Sequence, residues 1–206
     1  MKRLLDLVIA LLALFILAIP ILILAILIKL DSKGPIFFKQ TRMGQDFRPF
    51  GMYKFRSMRT DVDHTRHEEF MKKVIQEGGG EVDEETGKQV FKQKDDPRIT
   101  GVGAFIRKYS IDELPQLFNV IKGDMSIVGP RPPVQYEVEM YREHHMPRMS
   151  SRPGITGVWQ VSGRNAISFE EMVQMDITYM ENWSIMTDIK IILQTIPVVL
   201  FPKDVY

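Results

Sequence analysis

There is no cysteine anywhere in the 206 residues. That absence excludes disulfides, zinc–thiolate sites and thiol nucleophiles together, and it suits a chain that works in the cytoplasm. Net charge is nearly absent as well. The 27 Lys and Arg almost cancel 26 Asp and Glu, leaving +1, so there is no case for a general nucleic-acid binder. The chain also lacks an internal repeat and a long linker. What it has is 45% hydrophobic residues, enough for one ordinary domain with a real core and an appended segment.

Charge is uneven along the chain. From Lys29 to Asp61 there are eight Lys and Arg against three Asp, whereas Val62 to Asp96 holds six basic and ten acidic residues. The first block suits a phosphate-rich surface or ligand, and the second reads as a solvated insert. His64 and His67 stand three apart in that insert, but with no cysteine and no clear third ligand they read as a solvated face.

Residues 1–30 form the one long apolar stretch. Leu7 to Ile28 carries no charge over 22 residues, long enough to cross a bilayer as a helix. Lys2 and Arg3 precede it and Lys29 and Lys33 follow it, so the positive-inside rule selects no orientation. Pro20, near the middle, removes a helical hydrogen bond and allows a bend. Either a kinked spanning helix or a helix that returns to its own face satisfies this pattern.

The segment from Phe37 to Phe55 interleaves aromatic and basic residues, among them Phe38, Lys39, Arg42, Phe47, Arg48, Tyr53 and Lys54, and Arg56 follows it. Bounded by glycine and proline, it predicts two strands of a hairpin. Its cations either face water or turn toward phosphates at a membrane interface.

Two adjacent carboxylates, Asp112 and Glu113, lie just before Pro115. A helix is predicted from near Pro115 to Gly123, with Leu117, Phe118, Val120 and Ile121 inward. Ser110 and Glu113 also spell a capping box, by local sequence the commoner explanation. Capping does not account for Gly129-Pro130-Arg131-Pro132-Pro133, a rigid turn aiming one guanidinium, whose planar fork suits phosphate oxygens. Carboxylates beside arginines suggest phosphoryl chemistry.

Residues 134–149 predict an amphipathic helix ending before Pro147, with His144 and His145 adjacent and not facing one another. Two glycine–proline loops follow, at Ser151–Gly157 and Ser162–Asn165, carrying Arg152 and Arg164, either of which could meet phosphate. Ser168 opens a helix to about Trp183. Ile185–Phe201, broken by Asp188, Lys190 and Pro197, is too interrupted for a second span and fits an amphipathic helix on core or membrane.

Five segments, in this order, resemble one family: GPIFFKQTRMG, YKFRSMRTD, DPRITGVGAFIRKYSIDELPQLFNVIKGDMSIVGPRPP, RPGITGVWQVSGRN and TDIKIILQT. The chain resembles the bacterial sugar transferases, the small monotopic polyprenyl-phosphate phosphoglycosyl transferases. The resemblance implies a membrane-associated α+β fold with a re-entrant N-terminal helix over residues 1–30. It further implies a small β-hairpin and a compact cytoplasmic catalytic domain over 31–206 with interfacial amphipathic helices, 62–96 being a variable insert. The implied reaction moves a sugar-1-phosphate from a UDP-sugar to polyprenyl (undecaprenyl) phosphate and releases UMP, by a ping-pong route. It is the first membrane step of a polysaccharide or glycoprotein glycan, at the cytoplasmic face of the inner or plasma membrane.

By the same resemblance Asp112 is the nucleophile and a magnesium ligand, and Glu113 is its partner. Arg107 and Arg131 lie near the phosphates and Arg164 binds the nucleotide sugar. Lys54 and Arg56 are substrate-binding or lipid-facing, and Asp188 is an acidic family position. The insert leans the sugar toward glucose or galactose, and the oligomeric state is open. A rival of another class is an inactive membrane-anchored scaffold in a glycan-assembly complex.

Overall fold

A computed structural model describes residues 1–59, 81–82, 89–90, 98–162 and 167–202. Its first element, α1, runs from Lys2 to Asp31. Pro20 lies inside α1, which is helical on both sides of it: proline removes a single donor, and the apolar turns on either side continue the helix. Among the described residues this is the one helix long and apolar enough to cross a membrane.

One stripe of α1 packs on the rest of the chain at helical spacing. Ile9, Ala10, Ala13 and Leu14 join a core built on Met52, Val120, Met125, Val128, Tyr179 and Ile191. Ile21, Leu24 and Ile28 join a second cluster with Phe55 and Ile106. The remaining faces leave Leu4, Phe15, Ile19 and Leu30 exposed.

Polar bonds fasten both ends. Buried Asp6 accepts from Ser126 Oγ at 2.9 Å and from the Ile127 N–H at 2.9 Å. Arg3 donates to the Val120 and Ile121 carbonyls at 2.6 and 2.9 Å. At the far end Arg56 Nη2 donates to the Ile28 and Ser32 carbonyls at 3.0 and 2.6 Å, satisfying the open carbonyls of a helix terminus.

The predicted hairpin forms. Strands β1 (Phe37–Met43) and β2 (Pro49–Phe55) pair antiparallel, Phe37 opposite Phe55 and Arg42 opposite Phe50. Two further short strands, β3 (Glu81–Val82) and β4 (Gln89–Val90), pair with each other within the insert.

Helix α2 (Gly101–Lys108) is capped by Thr100, whose side chain accepts from Gly103 N–H. Then comes a single tight turn, Ile111–Glu113, and helix α3 (Gln116–Lys122). Gly123 ends α3 at φ 95°, as expected of a left-handed terminator. Two expectations fail here. Ser110 takes a left-handed conformation and makes no side-chain cap bond, so the capping box does not form. Phe118 is 43% exposed: a seven-residue helix buries one stripe, and Leu117 and Val120 occupy it.

Three-residue strands β5 (Ser126–Val128) and β6 (Gly154–Thr156) pair in parallel, an element too short to leave a sequence pattern. They bring the Gly129–Pro133 turn and the Ser151–Gly157 loop together. A Cβ on Gly154 would lie 2.1 Å from the Gly129 nitrogen, so only glycine permits this approach.

The expected helix over 134–149 is divided into α4 (Gln135–Glu139) and a tight three-per-turn run, Glu143–Ser150, that contains Pro147. After α5 (Val158–Ser162), helix α6 (Phe169–Glu181) opens on the capping box of Ser168 and Glu171, and α7 spans Ile185–Leu200. Met186, Leu193, Ile196 and Leu200 stand exposed along α7 while Ile191 turns into the core.

Candidate active site

The hairpin and the Ile111–Glu113 turn meet through Lys54. Its Nζ lies 2.7 Å from Glu113 Oε1 and 3.7 Å from Asp112 Oδ2. Asp112 is buried and Glu113 half-buried, so the ammonium holds two adjacent carboxylates that would otherwise repel each other.

Asn119, fully buried on α3, sets the docking of the hairpin. Its Oδ1 accepts from the Tyr53 N–H at 2.9 Å, and its Nδ2 donates to the Gly51 carbonyl at 2.8 Å and to Asp124 at 3.1 Å. The side-chain amide thus bonds to two backbone groups of β2, one residue before Lys54, much as a neighbouring strand would.

In front of Glu113 is a narrow cleft of about 10 Å³, the volume of roughly one water. Lys54, Arg42, Arg131, Gln116 and Gln160 line it. Arg42 donates to the Pro132 carbonyl at 3.1 Å and to Gln40 Oε1. Burial and the neighbouring Arg131 push its guanidinium down to about 10. It therefore stays charged at neutral pH, and two like charges side by side call for an anion between them.

Arg131 is held from behind. Buried Arg148 donates to the Arg131 carbonyl at 3.4 Å, to Tyr141 Oη at 2.9 Å and to Asp176 Oδ2 at 2.7 Å. Burial holds Asp176 up at about 6, against the pull of Arg148.

The structure therefore brings together Asp112, Glu113, Lys54 and Arg131, and adds Arg42. Arg107 stands half-exposed in the last turn of α2, upstream of the carboxylates and outside the residues lining the cleft. Two positions lie elsewhere. Arg56 caps α1 from beneath the hairpin. Asp188 is buried and accepts from Lys2 at 2.6 Å, Tyr179 at 2.5 Å and Trp183 at 3.1 Å, tying α7 to the start of α1. Arg164, His64 and His67 fall outside the described residues.

The adjacent histidines do converge, contrary to expectation, because the 143–150 run is tighter than an α-helix. His144 Nε2 and His145 Nε2 each lie 3.1 Å from Glu170. His145 Nδ1 accepts the Arg142 N–H at 3.1 Å, which puts the neutral ring's proton on Nε2, facing Glu170. That tautomer leaves Nε2 no lone pair for a metal ion, so the cluster reads as a tether between this run and α6.

A lysine-bridged carboxylate pair thus stands beside two arginines. The family model described as bacterial sugar transferase matches residues 1–202, and the chain belongs to that family. It is 48% identical over 200 residues to the galactosyl transferase CpsE of Streptococcus agalactiae, covering 97% of this chain and 42% of that one. It is 41% identical over 205 residues to the exopolysaccharide production protein ExoY of Sinorhizobium fredii, covering 100% of this chain and 88% of that one. With the UDP-glucose:undecaprenyl-phosphate glucose-1-phosphate transferase of Xanthomonas campestris it shares 39% over 213 residues, covering 100% and 40%. The chain thus spans less than half the length of the first and third.

Proposed function

We propose that this protein transfers a sugar-1-phosphate from a UDP-sugar to undecaprenyl phosphate and releases UMP, opening the assembly of a surface polysaccharide. The observation that carries this reading is the contact of Lys54 with Glu113 and Asp112 in front of Arg42 and Arg131. The names of the relatives supply the donor and acceptor classes, and they point to galactose or glucose as the sugar.

In this reading an Asp112 oxygen attacks the β-phosphorus of the donor. The bond from that phosphorus to the bridging oxygen breaks, and its electron pair leaves with UMP. An oxygen of the lipid phosphate then attacks the phospho-sugar ester and returns the Asp112 carboxylate, a ping-pong sequence. Lys54 orients the pair and offsets its charge. Arg42 and Arg131 hold phosphate oxygens, and the family resemblance alone assigns Arg107 and Arg164 to the donor. The carboxylate oxygens are hard donors of the kind magnesium takes together with substrate phosphates. Asp112, with Glu113 beside it, would hold that ion, which would offset the charge of the diphosphate. Arg56 and Asp188 secure α1 in this account and touch no substrate.

The exposed apolar faces of α1 and α7 enter the lipid. Both ends of α1 are fastened to the same domain, by Lys2, Arg3 and Asp6 at one end and by Arg56 at the other. A spanning helix would carry its ends to opposite sides. So α1 enters and leaves on one face, the cytoplasmic face of the plasma or inner membrane.

The test is UMP release by the protein in nanodiscs with magnesium, undecaprenyl phosphate and a panel of UDP-sugars. Asp112→Asn should fold and release none. Turnover retained in that variant would sink the assignment.

A further inference from the structure

A second cavity, of about 260 Å³, opens where α1 begins. Its walls come from separate parts of the chain: Lys2 and Arg3 of α1, Ser151 and Arg152 of the loop before β6, and Tyr179 and Trp183 at the end of α6. Lys2 lies 5.8 and 5.9 Å from the ring centroids of Tyr179 and Trp183.

The wall is cationic. Lys2 is answered by Asp188, and Asp6 is occupied by Ser126 and Ile127. Arg3 and Asp6 are both bonded to neutral partners and offset each other, which leaves Arg152 as the excess positive charge of the wall. Arg152 is exposed and makes no side-chain hydrogen bond among the described residues. The function proposed above does not use it.

The depth of the cavity decides the ligand, and this step rests on the membrane reading above. Leu4 is 69% exposed and Met186 72%, so the apolar stripes of α1 and α7 begin beside Arg3 and Trp183. A cavity at the boundary between apolar stripes and cations, rimmed by tryptophan, stands at headgroup level. Its volume falls short of the roughly 300–1,000 Å³ of drug-sized ligand sites, enough for a phosphate and its glycerol linkage but not for a nucleotide sugar. The acceptor lipid does not fit the role. The carboxylate turn and the cavity lie at opposite ends of α3, whose seven residues span about 10 Å, so a phosphate held in the cavity is out of reach of Asp112.

We propose that the cavity bounded by Lys2, Arg3, Arg152 and Trp183 binds the phosphate of an anionic membrane phospholipid. Such a lipid seats the first turn of α1, whose Arg3 caps the helix that follows the carboxylate pair.

The test uses the full chain in nanodiscs of mixed phosphatidylcholine and phosphatidylglycerol, with retained lipid read by native mass spectrometry after release. Wild type should keep phosphatidylglycerol preferentially. Arg152→Gln should lower that retention about tenfold, Arg152→Lys should keep most of it, and Lys190→Gln, an exposed cation on α7, should change nothing. Equal retention in wild type and Arg152→Gln, or equal loss in Lys190→Gln, would overturn the proposal. So would displacement of phosphatidylglycerol by equimolar undecaprenyl phosphate, which would make this the acceptor site. The readout does not depend on turnover, so failure to release UMP with lipid retention intact would count against the proposed reaction alone.

Discussion

Asn119 offers the sharpest test of how this site is held. Replacing it with aspartate keeps the oxygen that accepts from Tyr53 but removes both donors, orphaning the Gly51 carbonyl and setting a carboxylate against Asp124. Each buried acceptor left without a donor costs about 1–3 kcal/mol, and the like-charge contact adds to that, so the single variant should lose about 3–5 kcal/mol in all. The exchange Asn119→Asp with Asp124→Asn restores the contact between those two residues with its polarity reversed. Only the hairpin carbonyl then stays unpaired. The double variant should recover most of the thermal stability, while β2 sits looser and Lys54 drifts from Glu113. Loss of about 1.4 kcal/mol of positioning corresponds to tenfold in rate. UMP release in nanodiscs should therefore show a kcat lower by about tenfold, with KM for the donor little changed. A double variant with both restored stability and wild-type kcat would refute the reasoning and reduce Asn119 to an ordinary buried amide.

Lys54→Gln removes the charge that joins the carboxylates to the hairpin; a charged hydrogen bond of about 1.5–3 kcal/mol predicts kcat/KM lower by roughly 10–100-fold, with Lys54→Arg partly restoring it. Gly154→Ala forces a Cβ into the Gly129 backbone, and the strain, about 3 kcal/mol at the upper end of overpacking, should appear as a lower unfolding midpoint. Asp176 is raised to about 6 from an ordinary 3.8, so the folded chain takes up a proton that the unfolded chain does not. Its contribution to stability therefore falls as pH rises from about 4 to about 6 and is level above that, a span of about 3 kcal/mol. The stability gap between wild type and Asp176→Asn should widen in favour of wild type on going from pH 7 to about pH 4.5; a gap independent of pH would show that burial does not govern this carboxyl.

Features set by local chemistry were legible in the chain itself. The apolar run, the alternating hairpin, Gly123 as a helix terminator and Ser168 as the start of a helix each depend on neighbours a few residues away. The quoted family motifs carried the rest of the functional reading.

What needed the tertiary structure is which distant groups meet. Lys54 and Arg56 are two residues apart and both basic, but β2 ends at Phe55. The first therefore reaches the carboxylates and the second passes under α1. Arg42 joins the cleft only because β1 docks on the 129–133 turn, 90 residues on. Asn119 reads in sequence as a polar residue in a short helix, and nothing local says that it will bond to the free edge of a strand. Residues Lys2 to Asp6 read as the flank of a membrane segment, yet they fasten α1 to α3, β5 and α7. Local patterns specify elements because their contacts lie within a turn or two. The site is made of contacts between elements, and close packing of the hairpin, α1 and the glycine crossing decides those.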